Sequence, residues 1–224
     1  QILTISIVQG VTEFLPVSSS AHLVLISNFF KLKEQELLLN ISAHVGSLFA
    51  VIFFFKKEIA NFEKNKKLFF KIILASIPLF FFGYLTVKLN LVSELRTYKV
   101  IGWTTITFGI LLYFADKFST NHKIKENFSS KNAVLLGFFQ VLALIPGVSR
   151  SGITISAGRF LGFDRFESAK VSFFLSIPTL AAASILGIYN IYKEGSTELN
   201  FLAIVAVIFS FIFSYITIAF FFSF

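Results

Sequence analysis

Two short stretches of this chain hold the residue types that can do chemistry. The first, Glu13–His22, carries a carboxylate (Glu13), three consecutive hydroxyls (Ser18, Ser19, Ser20) and an imidazole (His22) around Pro16. These groups can supply a proton acceptor or metal ligand, a nucleophile and a general acid/base. The second, Pro146–Thr154, carries Arg150 between Ser149 and Ser151, with Gly147, Gly152 and Thr154 close by. The fork of an arginine fits phosphate oxygens. Gly147 and Gly152 allow the backbone to approach a ligand. A helix restarting after a break points N–H groups and a positive dipole end at an anion. The combination predicts a site for a phosphate-bearing ligand. A serine triplet alone is more often packing in a membrane helix, and a Glu–Arg pair alone can be purely structural.

These stretches must be positioned inside a bilayer. Of 224 residues, 55% are hydrophobic and 14% charged, against about 25% charged in soluble domains. Apolar blocks at 68–87, 98–115, 168–189 and 201–224 reach the roughly 17–25 residues that span a hydrocarbon core. Ile41–Phe55 is a shorter candidate. The expected fold is an all-α, polytopic membrane helical bundle, a single integral-membrane domain over 1–224. The net charge of +8 reads as basic loops on the cytoplasmic face and not as nucleic-acid binding. Without cysteine there is no disulfide framework and no thiolate metal site. The chain starts at Gln1 and stops inside an apolar run at Phe224, so both ends read as truncated, and no secretory signal is visible.

Charge placement predicts the topology. Lysines 56, 57, 64, 66 and 67, lysines 117, 123, 125 and 131, and Arg159, Arg165 and Lys170 form three rich clusters. The segments 31–40, 88–99 and 193–200 are poorer, with Lys31, Lys33, Lys88, Arg96, Lys99 and Lys193. The rich clusters are assigned to the cytoplasm. Clusters 116–131 and 159–170 then share a side, so the stretch between them must enter and return, broken at Pro146-Gly147. The stretch around Pro16 has the same character. Gln9-x6-Pro16-Val-Ser-Ser-Ser stands against Gln140-x5-Pro146-Gly-Val-Ser-Arg-Ser. Opposed broken hairpins with weak internal similarity predict two inverted repeats, about 1–87 and 132–224, each with a re-entrant hairpin. Irregular backbone at membrane depth is tolerated only where buried in protein or lining a cavity.

Outside the clusters the charges are Glu13, Lys71 and Arg150. Lys71 is expected to snorkel to the interface. Glu13 and Arg150 sit inside the hairpins, where an unpaired charge costs at least about 2.5–3.5 kcal/mol, which marks them as functional. His44 is a weaker candidate, His122 reads as a solvated loop residue, and Gln140 is expected to hydrogen-bond across the bundle. Trp103 falls mid-helix, away from an interface.

The run Gln9-Gly-Val-Thr-Glu13-Phe-Leu-Pro-Val-Ser-Ser-Ser-Ala-His22 resembles the first signature of the undecaprenyl-diphosphate phosphatases, the bacitracin-resistance lipid phosphatases. Pro146-Gly-Val-Ser-Arg-Ser-Gly-Ile-Thr154 resembles their second signature. The likeness extends to the His44-Val-Gly-Ser-Leu and Phe174-Leu-Ser-Ile-Pro178 helices. It implies a metal-dependent hydrolase that removes the terminal phosphate of undecaprenyl diphosphate and recycles the carrier lipid for cell-wall synthesis. It further implies a divalent cation (Mg2+ or Ca2+) at Glu13 and a homodimer in the bacterial inner (cytoplasmic) membrane, with a site open to the periplasm. Glu13, His22, Ser19 (the candidate nucleophile) and Arg150 would be catalytic. Gln9, Ser18, Ser20, Gly147, Ser149, Ser151 and Thr154 would line the substrate site. Gln9 stands where some members have Glu, which removes one candidate metal ligand, and Ala21 where many have Gly.

A polyprenyl-phosphate flippase or transporter is the competing reading, because inverted repeats around a midplane anion site also suit transport. The cluster of Glu13, Ser19 and His22 favours chemistry. The acid-phosphatase-type lipid phosphatases are excluded, since their late His motif has no counterpart after His122.

Overall fold

The computed structural model describes residues 2–30, 36–118, 123–193 and 201–223. Lys31, Lys33 and His122, and most of the 193–200 segment, lie outside the described residues. In chain order, α1 spans Ile2–Thr12, α2 Ser19–Phe30, α3 Glu36–Phe54, α4 Lys56–Ala60, α5 Phe62–Lys88, α6 Leu91–Leu95, α7 Tyr98–Asp116, α8 Ile124–Asn127, α9 Ser130–Val141, α10 Arg150–Phe160, α11 Arg165–Lys193 and α12 Phe201–Phe221. A 3-10 turn, Leu142–Leu144, extends α9.

Among the described residues four helices are long and apolar enough to cross a membrane: Phe62–Lys88, Tyr98–Asp116, Arg165–Tyr189 and Phe201–Phe221. They coincide with the four apolar blocks, so the chain is a multi-pass, all-α membrane protein. Their outward faces are apolar; Trp103, in the middle of α7, is 73% exposed. The hairpin arms α1, α2, α9 and α10 are different. Each has only 11 or 12 residues, about 16–18 Å at 1.5 Å per residue, against a core of about 30 Å. One such arm cannot cross. Both predicted breaks therefore occur as short helix, irregular turn, short helix, a form compatible with an inverted repeat.

The described chain divides into two compact units, each drawing on distant parts of the sequence. One comprises residues 1–15, 19–57 and 176–224; the other comprises 16–18 and 58–175. In the first, α12 packs against α3 and α1. A serine ladder joins α12 to α3: Ser210 Oγ donates to the Ala43 carbonyl (2.6 Å), and Ser214 Oγ donates to Ser47 Oγ (2.9 Å). Small polar residues allow such close approach in membranes. At Gly46 a Cβ would lie 2.4 Å from the Val207 carbonyl oxygen, so a side chain there would force the helices apart. Ile5, Leu23, Leu39, Ala43 and Ala206 form a buried apolar cluster.

In the second unit, α9 packs on α5, and α10 packs on α7 and α9. Three expectations change here. The lysine-rich stretch 56–67 is not a loop: it forms α4 and the first turns of α5, because Lys and Glu are good helix formers. Arg159, counted among loop bases, is 6% exposed. Its guanidinium donates to the carbonyls of Phe163 (2.9 Å), Asp116 (3.1 Å) and Phe118. It thereby satisfies carbonyls that the end of α7 leaves without helical partners. Lys71 does not simply reach water; its Nζ donates to the Phe128 carbonyl.

Candidate active site

The candidate residues fall in two clusters, each at a helix start that follows a Pro break. α1 ends at Thr12, the chain turns through Glu13–Ser18, and α2 begins at Ser19. Glu13 is 7% exposed and Gln9, one helical turn earlier, is fully buried. Gln9 Nε2 donates to Glu13 Oε2 at 3.0 Å, and Ser19 Oγ donates to the same oxygen at 2.8 Å. The predicted acid, its glutamine and the candidate nucleophile are thus brought together in the first unit. His22 lies three residues beyond Ser19, on the same side of α2, and is partly exposed, whereas Ser20 is exposed. A hydroxyl that donates to a buried carboxylate is arranged to lose its proton to it.

The second cluster lies in the second unit. α10 begins at Arg150, and Ser149 before it accepts from the Gly152 N–H at 3.2 Å while sharing a 3.2 Å hydrogen bond with Ser151 Oγ. One of the helix-start N–H groups expected to face a ligand is therefore already engaged. Arg150 Nη1 donates to the Ser172 carbonyl at 3.0 Å. Thr154 Oγ1 donates to Ser172 Oγ at 2.7 Å. Ser172, fully buried on α11, thus braces both Arg150 and Thr154. It was not singled out from sequence, although Ser168, Ser172 and Ser176 repeat every four residues along one helix face.

The break before α10 is held by α7. Thr104 Oγ1 donates to the Pro146 carbonyl (2.6 Å) and Thr105 Oγ1 to the Gly147 carbonyl (3.3 Å). Gly147 has φ +95°, and a Cβ there would lie 2.1 Å from Thr104 Oγ1. Glycine is obligatory for both reasons. The signature thus depends on Thr104 and Thr105 from a distant helix, which no local motif reveals. Gly152 does not open a ligand approach: a Cβ there would meet Ser149 Cβ at 3.2 Å and Pro16 Cβ at 3.5 Å. That contact places the Pro16 turn, which with Val17 and Ser18 belongs to the second unit, against α10.

The two turns share one backbone device. Ser18 (φ +58°) precedes α2 and Ser149 (φ +65°) precedes α10. Among the described residues the other non-glycine with positive φ is Asn90, a type that tolerates this region. Serine in it costs of order 1–3 kcal/mol, and such strain gathers at functional sites.

Gln140 and His44 differ from the rest. Gln140 is fully buried, yet neither amide atom has a hydrogen-bond partner among the described residues, so the expected bond across the bundle is not made. His44 Nδ1 donates to the Asn40 carbonyl of its own helix at 2.6 Å. Among the described residues no group of three His, Cys, Asp or Glu side chains converges as a metal site. One feature does suit a cation: Gln9 Oε1 is buried and accepts no hydrogen bond among the described residues, so it and the Glu13 carboxylate offer hard oxygens. Mg2+ is commonly held by one or two carboxylates together with substrate phosphates.

Fold and clusters define an integral membrane protein with a buried acid–hydroxyl pair and a braced arginine at a helix start. The model of the family described as bacitracin resistance protein BacA matches residues 2–224, and the chain belongs to this family. It is 46% identical over 222 residues to a protein of Pelagibacter ubique (strain HTCC1062) named undecaprenyl-diphosphatase, covering 99% of this chain and 86% of the relative. A protein of the same name from Erythrobacter litoralis (strain HTCC2594) is 37% identical over 255 residues, covering 98% and 89%. A third, from Jannaschia sp. (strain CCS1), is 42% identical over 194 residues, covering 81% and 73%.

Proposed function

We propose that the chain hydrolyses undecaprenyl diphosphate to undecaprenyl phosphate and inorganic phosphate, recycling the lipid carrier for cell-wall synthesis. Family membership and the relatives' name support the substrate. The observation that carries the chemistry is the Ser19 hydroxyl donating to the buried Glu13 carboxylate at 2.8 Å. Binding an anion gains nothing from a carboxylate; activating a nucleophile does.

In this reading Ser19 Oγ attacks the terminal phosphorus while its proton passes to Glu13. The bond from phosphorus to the bridging oxygen breaks, and the lipid phosphate leaves with the electron pair. Water then attacks the phosphoserine with His22 accepting its proton; the bond from phosphorus to Ser19 Oγ breaks, Glu13 returns its proton to Oγ, and phosphate is released. Arg150 stabilises the charge on the phosphoryl oxygens, where a low-dielectric setting strengthens it. Ser149, Ser151 and Thr154 fix its geometry, Gly147 the turn, and Ser18 and Ser20 flank the nucleophile. Glu13 and Gln9 Oε1 would hold a divalent cation, which would supply further neutralisation of the diphosphate. The protein works as a homodimer in the bacterial inner membrane, its site open to the periplasm.

Phosphate release from undecaprenyl diphosphate by the purified, detergent-solubilised protein tests this. Turnover that stops with chelator and returns with Mg2+ or Ca2+ supports hydrolysis. No release at all leaves the flippase reading, which the paired short-armed hairpins favour and which needs a sealed membrane. Radiolabel on Ser19 after acid quench reports the phospho-enzyme.

A further inference from the structure

A charged recess made of other residues lies within the second unit, at the start of α5. It has a volume of about 390 Å³ and is lined by Lys64, Lys67, Lys71 and Lys170 with Leu68 and Phe128. That is many times the roughly 30 Å³ one water occupies in the liquid, enough for a group larger than a lone ion. Glu58 and Glu167 also line it, so its four lysines outnumber its carboxylates. Two of the lysines have internal partners. Lys170 pairs with Glu58 at 3.4 Å, and Lys71 donates to the Phe128 carbonyl. Among the described residues neither Lys64 nor Lys67 forms an ion pair, and both are exposed.

What the recess leads to identifies its ligand. A neighbouring recess shares Lys67 and Lys71 and adds Phe70, Lys66 and Ser130. From Phe70 an exposed apolar stripe descends α5 through Ile73, Ile77, Phe81 and Tyr84, exposed by 63, 60, 54, 58 and 64% respectively. These positions share one helix face over about 21 Å of a membrane-spanning helix. Lysines at the head of a lipid-facing stripe match a molecule with an anionic head and an acyl tail. Basic pockets between transmembrane helices on the cytoplasmic side hold such headgroups, and the positive-inside assignment puts this lysine cluster on that side.

We propose that the Lys64–Lys67–Lys71–Lys170 recess binds the phosphate headgroup of an anionic phospholipid whose acyl chain lies along the Phe70–Tyr84 face of α5. The test is the thermal unfolding midpoint of the purified full chain in detergent, with added phosphatidylglycerol, phosphatidylcholine or inorganic phosphate. Phosphatidylglycerol at about a hundredfold its dissociation constant raises the midpoint by about 5 °C; the other two leave it unchanged. Lys64→Gln with Lys67→Gln removes most of that shift, while Lys88→Gln with Lys99→Gln keeps it. An unaltered shift in the first pair overturns the proposal. So does equal loss in the second pair, which would signify bulk charge, or an equal shift with inorganic phosphate, which would signify a phosphate site without lipid. Should the first pair not survive purification, a phosphatidylglycerol with a photoreactive group near its headgroup decides on the unchanged protein. Crosslinks within 62–73 support the site, and crosslinks only elsewhere overturn it.

Discussion

The two hairpins share one backbone device and place residues of opposite charge beside it. Each breaks at a proline, passes through a serine at positive φ, and restarts as a short helix. After the strained serine the first hairpin places Ser19, whose hydroxyl donates to Glu13; the second places Arg150, whose guanidinium is braced by Ser172. One turn therefore presents a buried carboxyl group with a hydroxyl bonded to it, the other a braced positive charge. The difference lies in the first residue of the new helix and in the support it receives.

Four measurements break or sharpen this comparison. Removing the acid has the largest effect: Glu13→Gln keeps shape but not basicity and lowers phosphate release about 10³-fold, with an unfolding midpoint near that of the parent protein. Near-normal turnover would end the assignment of chemistry to the first hairpin. Arg150→Lys keeps the charge but loses the fork. It lowers kcat/KM about 10²-fold while Arg150→Ala loses more; equal activity of the Lys variant would mean that charge alone suffices. Gly147→Ala attacks the turn itself. With Thr104 Oγ1 only 2.1 Å from the added Cβ, stability falls by at least about 2 kcal/mol, read from denaturant unfolding in mixed micelles. The smallest effect tests the shared device directly. At both Ser18 and Ser149, the Gly variant should exceed the Ala variant in stability by about 1 kcal/mol. A preference for Gly at only one of the two would show that the turns are not equivalent.

Part of this was legible locally. Four apolar blocks announced four spans because a hydrocarbon core admits only long apolar helices there. Pro16 and Pro146 announced the breaks because a run of small and polar residues follows each, whereas Pro78 and Pro178, set among apolar residues, stay inside α5 and α11. The candidate residues were legible too, because Glu13 and Arg150 are charges that a bilayer tolerates only for a reason. The stretch 56–67 was misread as loop because charge density masks helix propensity, and Arg159 because a basic residue between apolar blocks ordinarily faces water. Gly152 was read as room for a ligand, whereas that room is filled by Ser149 and Pro16.

By itself, then, the sequence determined the membrane class, the two breaks and the polar residues placed at them, because hydropathy, proline and isolated charge act locally. The tertiary structure alone decided what those residues hold. Ser172 comes to Arg150 and Thr154 from α11, and Thr104 and Thr105 come to the Pro146–Gly147 turn from α7. Such partners lie tens of residues away in the chain, and only helix packing brings their hydrogen-bonding groups within reach.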